Sequence, residues 1–322
     1  MRIFILLFFL STVSFGQTSE LVERIMATYP TEFSTVQELA KRIDYDFKTE
    51  REKVEAAYLW IIKNIRYDYN QLYETKSKRI WIRYNTEEEK ARLIEEALDE
   101  RLNYILEVRA TLCYGYSNLF KRLLDLMEIE AVNINGHTKI STESIGSETS
   151  GIKNHSWNAV YLDGKWRLFD LTWAAGYTDY ERNNWLPRRN DHYFDIDPQA
   201  LISTHLPEDS RWQLLNRPMP TEHFFENPIY YKTYFEHRYI LAEEEDGLLE
   251  MDGRKVKITF SNLPLEKRLF YSLNGSHEVL SVENIKKTKD GKYQVVIYGL
   301  GNNADQLTLY SNLQPAIDFK LH

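Results

Sequence analysis

The sequence predicts an α+β protein: helices packed on an antiparallel sheet, followed by an all-β, sandwich-like region at the C-terminal end. Three observations predict this class. Helix-capping patterns precede apolar residues at helical spacing in the first third of the chain. Two strand-like segments flank Asp163-Gly164, a dipeptide typical of two-residue hairpins. From about residue 228 onward, short segments alternate between apolar and polar residues, which is typical of a sandwich.

Length and composition suggest how the chain is divided. A chain of 322 residues is long for a single core, so we expect two domains, over 17–227 and 228–322. Hydrophobic residues make up 43% of the chain, which excludes general disorder. The net charge of −8 is modest and spread along the chain, so the sequence indicates no nucleic-acid partner.

The first residues have the pattern of a secretory signal peptide. A positive residue and an apolar run are followed by Ser14 and Gly16, at −3 and −1 of a cut before Gln17. We therefore expect residues 1–16 to be removed and the protein to be periplasmic or extracellular. No later segment approaches eighteen apolar residues, so no membrane span is expected.

Three capping boxes predict helix starts, at Thr35-Val-Gln-Glu38, Thr49-Glu-Arg-Glu52 and Thr86-Glu-Glu-Glu89. The helix after Thr49 carries apolar residues on one face, and we expect it to pack without taking part in chemistry. Residues 70–108 are predicted to be a largely helical insert with a solvated, charged outer face.

Cys113 is the only cysteine of the chain, so it cannot form an internal disulfide. The amphipathic pattern that follows predicts a helix beginning close to it. A thiol at a helix N-terminus lies at the positive end of the helix dipole, which favours the thiolate. Gly115 in the first turn allows close approach of a neighbouring backbone or a substrate. A small buried core residue is the alternative, and position alone leaves both interpretations open.

The spacing of His155 and Asp170 supports the nucleophile interpretation. The strand-like segments 157–162 and 165–172 flank the Asp163-Gly164 turn. In that register His155 and Asp170 are diagonal neighbours on one face, with Cα atoms roughly 7–8 Å apart. A carboxylate there can bind one imidazole nitrogen and leave the other for a thiol. A register error of one residue would place the two on opposite faces.

Three segments resemble the motif blocks of the transglutaminase-like superfamily, which has a papain-like core: Cys113-Tyr-Gly-Tyr, His155-Ser-Trp-Asn and Asp170-Leu-Thr-Trp. Segments after residue 190, including His192–Pro198, are similar to the kyphoscoliosis-peptidase branch. The resemblance implies that Cys113 is the nucleophile, His155 the base and acid, and Asp170 the residue that orients His155.

The resemblance also suggests which residues support the site. Transglutaminases use an upstream tryptophan as an oxyanion donor, and Trp81 is the candidate here, with plain packing as its alternative. The motif blocks place Tyr114, Gly115, Trp157 and Trp173 at the cleft. No cofactor is expected, since no calcium loop is recognisable and one set of acidic and histidine residues matches no metal motif. That set is Asp191, His192, Asp195, Asp197 and His205.

The predicted chemistry is acyl transfer from an amide of a protein or peptide substrate through a thioester. If water resolves the thioester, the enzyme is a peptidase or amidase, which we favour. If an amine resolves it, the enzyme is a crosslinking transglutaminase. A catalytically silent scaffold that binds a partner or surface, with its C-terminal β domain, is the alternative from another class.

Overall fold

The structure is a computed structural model, and it describes residues 19–68, 83–147, 154–179, 184–242 and 246–322. The predicted signal peptide and Trp81 lie outside these residues. The chain divides into two compact units, one of Met1–Ala131 and Val160–Ile196 and the other of Val132–Ala159 and Asp197–His322. The domain limits proposed from the sequence stay predictions.

The first unit is mainly helical. Its helices are α1 Glu20–Met26, α2 Val36–Asp46, α3 Glu50–Asn64, α4 Glu87–Val108, α5 Cys113–Leu126 and α6 Leu171–Ala175. The hydroxyls of Thr35, Thr49 and Thr86 accept hydrogen bonds from backbone N–H groups three residues on, which confirms the predicted helix starts. Within the described residues, no helix is long and apolar enough to span a bilayer.

The strands of the first two hundred residues are two to eight residues long. They are β1 Arg66–Tyr67, β2 Ala110–Thr111, β3 Ala131–Thr138, β4 His155–Leu162, β5 Lys165–Phe169, β6 Gly176–Asp179, β7 Asn184–Pro187 and, a little further on, β8 His205–Pro207. Strands β1 and β2 pair in parallel, and β6 pairs with β7. A four-stranded sheet has the order β5-β4-β3-β8.

The predicted hairpin is confirmed. Strand β4 ends at Leu162 and β5 begins at Lys165, so the loop has two residues. Asp163 and Gly164 both have positive φ, at 53° and 78°, as a type I′ turn requires. Strand β5 is shorter than predicted, because it ends at Phe169 and the chain turns into α6 instead of continuing to Thr172.

The core of the first unit contains a cluster of buried aromatic rings on α3, α5, β5 and the segment after it. Phe120 lies 5.8 Å from Phe169 and 6.5 Å from Tyr58, between ring centroids. Phe194 lies 5.2 Å from Phe169 and 4.9 Å from Tyr58. Helix α5, which begins at Cys113, and the end of β5, which precedes Asp170, are therefore held against one rigid core.

The C-terminal part of the second unit confirms the sandwich-like prediction. Its remaining elements are α7 Pro198–Leu201, α8 Thr221–Glu226, β9 Ile229–Tyr230, α9 Lys232–Glu236, β10 Ile240–Leu241, β11 Leu248–Leu249, β12 Lys255–Asn262, β13 Leu269–Leu273, β14 Leu280–Ser281, β15 Asn284–Lys287, β16 Tyr293–Tyr298, β17 Gln306–Ser311 and β18 Gln314–Leu321. One sheet has the order β10-β12-β16-β15, and the other β11-β18-β17-β13-β14 with β9 on β18. Buried residues of both sheets form one apolar cluster. The pairing is antiparallel except for β11 with β18.

Replacing Phe120 by alanine tests the aromatic cluster. Because Phe120 is fully buried, we expect Phe120→Ala to lower the free energy of unfolding by about 3–5 kcal/mol. Tyr104→Ala on α4 is the matched control, since that ring is 57% exposed and its loss should change the value by less than about 0.5 kcal/mol. Urea denaturation of the full chain measures both, and equal effects would contradict the assigned role.

Candidate active site

Cys113 is the first residue of α5, as the amphipathic pattern predicted. Its side chain is reduced and partly exposed, so it is not a fully buried core residue. The residue before it, Leu112, offers no side-chain cap to the helix. The first N–H groups of a helix have no acceptor within it, so this end of α5 can donate hydrogen bonds to an anion.

Gly115 fits tightly beneath the start of α5. A Cβ at this position would lie 1.8 Å from Oγ1 and 2.8 Å from Cβ of Thr111 on β2. The glycine therefore allows the first turn of the helix to lie directly on the preceding strand. The sequence predicted that a neighbouring backbone or a substrate approaches Gly115 closely. In the structure the close neighbour is the side chain of Thr111.

Asp170 connects β5 to α6. Its side chain is fully buried, and its Oδ1 accepts a hydrogen bond of 3.0 Å from the N–H of Trp173. Its own N–H donates to the carbonyl of Tyr193 at 3.1 Å. This N-cap explains why the chain becomes helical at Leu171, where the sequence predicted a continuing strand.

The charge of Asp170 acts on phenols in the first unit. Burial raises the pKa of Tyr193, and the Asp170 carboxylate raises it further. Burial also raises the pKa of Tyr116, one turn after Cys113, with Asp170 among the smaller contributions. The carboxylate therefore lies within electrostatic range of the first turns of α5.

His155 is the first residue of β4 and is only 8% exposed. Its ring stacks on Trp157, with centroids 6.0 Å apart and planes 22° apart. The ring of His205, at the start of β8, meets it nearly edge-on at 5.3 Å. The His155 side chain therefore packs against the rings of Trp157 and His205 and is not exposed on the surface.

Within the second unit, His155 and His205 are neighbours, and both side chains are buried. In the sequence His205 belonged to a set that matches no metal motif, and its spacing from His155 carries no signal for this pair. The pairing of His155 with Asp170 stays a prediction.

The other predicted cleft residues differ in exposure. Tyr114 is half exposed, with the Arg101 guanidinium 6.0 Å from its ring centre, and with Gly115 it borders a groove of about 200 Å³ between α4 and α5. Trp157 is buried. Trp173 is partly buried, with its ring edge-on to Tyr193 at 5.4 Å. Their roles in a substrate cleft stay predictions.

Comparisons with known proteins agree with these motifs. Residues 37–171 match the family model of the transglutaminase-like superfamily, and this match spans Cys113, His155 and Asp170. The match shows a transglutaminase-like region over residues 37–171.

Over most of its length the sequence is similar to kyphoscoliosis peptidase. It is 29% identical to the human protein over 288 residues, covering 87% of this chain and 40% of that protein. The mouse protein is 29% identical over 279 residues, covering 84% and 39%. Hillarin of Drosophila melanogaster is 31% identical over 148 residues, covering 41% and 18%. The chain spans about two fifths of the length of its kyphoscoliosis-peptidase relatives.

Gly115→Ala tests the close contact beneath α5. Helix propensity alone would favour alanine by up to about 1 kcal/mol, but the clash with Thr111 should reverse this and destabilise the protein by about 1–3 kcal/mol. Thr111→Ala removes the nearest atom, so the double variant should recover part of the loss. Gly301→Ala, where a Cβ meets open space, is the control. Thermal unfolding compares them, and a Gly115→Ala variant as stable as the Gly301→Ala variant would refute the contact.

Proposed function

We propose that the protein is an exported cysteine enzyme that transfers the acyl group of an amide, with hydrolysis as its outcome. Cys113 is the nucleophile, His155 the base and acid, and Asp170 the residue that orients His155. The observation that carries this proposal is the family match over residues 37–171, which contains Cys113, His155 and Asp170. Two features of the first unit support it, because Cys113 begins helix α5 and the Asp170 side chain is fully buried.

In the proposed mechanism, Asp170 sets the tautomer and the orientation of the His155 ring. A carboxylate near one ring nitrogen favours the tautomer with a proton on that nitrogen and leaves the other to accept the thiol proton. It also stabilises the imidazolium that forms when Cys113 loses its proton. Because Oδ1 is engaged by the Trp173 N–H, the carboxylate cannot rotate freely.

The first half of the reaction forms a thioester. The Cys113 sulfur attacks the carbonyl carbon of the amide, and the electron pair of the carbonyl moves to oxygen. The N–H of Cys113 donates a hydrogen bond to this oxyanion, a contribution typically worth about 3–4 kcal/mol. The carbon–nitrogen bond then breaks as His155 delivers its proton to the leaving amine.

The second half releases the acyl group. His155 takes a proton from water, the hydroxide attacks the thioester carbonyl, and the acid and the Cys113 thiol are released. Two observations support water over an amine. The sequence has no recognisable calcium loop, and the relatives that match most of this chain bear the name peptidase.

Export and substrate class belong to the same proposal. The apolar leader with Ser14 and Gly16 before Gln17 supports secretion to the periplasm or the extracellular space. The motif blocks support a protein or peptide as substrate, and the C-terminal β sheets offer a second surface for a partner.

Product analysis tests the proposed reaction. The protein is incubated with a mixture of peptides and a primary amine, and mass spectrometry scores cleavage, deamidation and amine incorporation in one run. We expect hydrolytic products, reduced at least about a thousand-fold in Cys113→Ala and in His155→Ala. His223→Ala on α8, whose side chain is exposed, should leave the products unchanged.

Each other outcome has a defined meaning. Amine-linked products that depend on Cys113 would replace hydrolysis by transglutamination. Products that are equally abundant in the wild type and in Cys113→Ala, or absent from every variant, would overturn the catalytic proposal. The alternative of a catalytically silent binding scaffold would then be favoured.

A further inference from the structure

We propose that the second unit has a binding site for the free C-terminal end of a peptide whose last side chain is apolar or aromatic. The site is a cavity of about 490 Å³, and all of its lining residues belong to the second unit. This volume lies in the range of about 300–1,000 Å³ that is typical of ligand pockets. The proposal goes beyond the proposed acyl transfer and does not depend on it.

Much of the cavity lining is apolar and rich in aromatic rings. Tyr230, Tyr234 and Phe235 form one aromatic cluster in the lining. The ring centroids of Tyr230 and Tyr234 are 4.4 Å apart, and those of Tyr234 and Phe235 are 5.2 Å apart. The buried residues Ile202 and Phe224 line the cavity as well. An apolar or aromatic side chain of a ligand would therefore be removed from water here.

Lys139, which follows β3, contributes a buried positive charge to the lining. Its side chain is only 1% exposed. Its Nζ donates to the carbonyls of Phe224, Asn227 and Pro228, at 2.6, 2.8 and 3.2 Å. Burial lowers the pKa of Lys139 to about 7, and among the residues that the structure describes no carboxylate pairs with this amine. A buried cation without a counterion favours an anion in the adjoining cavity.

Arg217 adds a second positive charge where the cavity meets solvent. This residue is exposed, and within the described part of the chain its guanidinium forms no ion pair or hydrogen bond. None of the described lining residues is an aspartate or a glutamate. The lining therefore has two basic groups and no acidic one, which matches a ligand that carries a carboxylate. A guanidinium can bind a carboxylate through two parallel hydrogen bonds.

Two amide side chains of the lining favour a peptide over a fatty acid. Gln199 and Asn216 are exposed, and their side-chain amides form no hydrogen bond within the described residues. Such amides can donate to a peptide carbonyl and accept from a peptide N–H. The hydrocarbon chain of a fatty acid offers no group for them to bind. A peptide that ends in an apolar residue therefore matches the apolar, amide and basic parts of the lining.

Calorimetric titration with an N-acetylated dipeptide ending in phenylalanine tests the proposal. The full-length chain carries Cys113→Ala in every measurement, so that the proposed reaction cannot consume the peptide. We expect the dipeptide with a free carboxylate to bind at least about ten-fold more tightly than the same dipeptide with a C-terminal carboxamide. Arg217→Ala should remove most of this difference and leave binding of the carboxamide unchanged, because it removes the group that binds the carboxylate.

Arg211→Ala is the matched control. That side chain is 83% exposed, pairs with Asp209 and does not line the cavity, so both dipeptides should bind as they do to the parent chain. Lys139→Met should weaken binding of the free carboxylate more than binding of the carboxamide, because the buried charge is lost. Lys139 also binds carbonyls at the end of α8, so Arg217→Ala, at an exposed residue, decides the proposal if the Lys139 variant does not fold.

Three results would overturn the proposal. The first is equal binding of the two dipeptides, or no binding of either, which would show that the cavity does not recognise a carboxylate. The second is an equal loss of affinity in Arg217→Ala and Arg211→Ala, which would indicate only a general effect of surface charge. The third is tighter binding of dodecanoate than of the dipeptide, which would indicate a site for fatty acids.

Discussion

The buried carboxylate of Asp170 is the constraint on which the rest of the candidate site depends. A carboxylate without solvent contact must have its hydrogen-bonding capacity met inside the protein. The N–H of Trp173 meets part of this need by capping α6. One side chain thus ends a strand, starts a helix and, in the proposed function, orients the base. A change at Asp170 would disturb all three.

The aromatic core of the first unit connects the two elements that carry Cys113 and Asp170. Phe169 directly precedes Asp170, and Phe120 lies on the helix that begins with Cys113. Their rings are packed 5.8 Å apart and contact Tyr58 on α3. Because a densely packed core transmits displacement, a shift of strand β5 should also displace helix α5, and the reverse. Cys113, the proposed nucleophile, and Asp170, the proposed orienting residue, are therefore both attached to the same aromatic core of the first unit.

Features set by neighbouring residues were predictable from the sequence. The capping hydroxyls of Thr35, Thr49 and Thr86 and the Asp163-Gly164 turn depend on a few adjacent positions, and each occurs as predicted. Long-range features were not predictable in the same way. The sequence predicted one apolar face for α3, but residues 54–62 are all buried, because α1, α2, α5 and α6 pack around this helix.

The position of His205 shows the same limit at the site itself. Its place beside His155 follows from the pairing of β8 with β3, which no local spacing encodes. The strand ending at Phe169 shows a competing local signal, since the Asp170 side chain stabilises a helix start more strongly than alternation stabilises a strand. Motif resemblance identified the residue types, and the structure shows that the Asp170 side chain is buried and caps α6.

Iodoacetamide labelling of Cys113 at neutral pH tests the central claim most directly. If His155 withdraws the thiol proton, the wild-type protein should label at least about ten-fold faster than His155→Ala, because the thiolate is the reactive form. Equal labelling rates for the two proteins would show that the imidazole does not activate the sulfur.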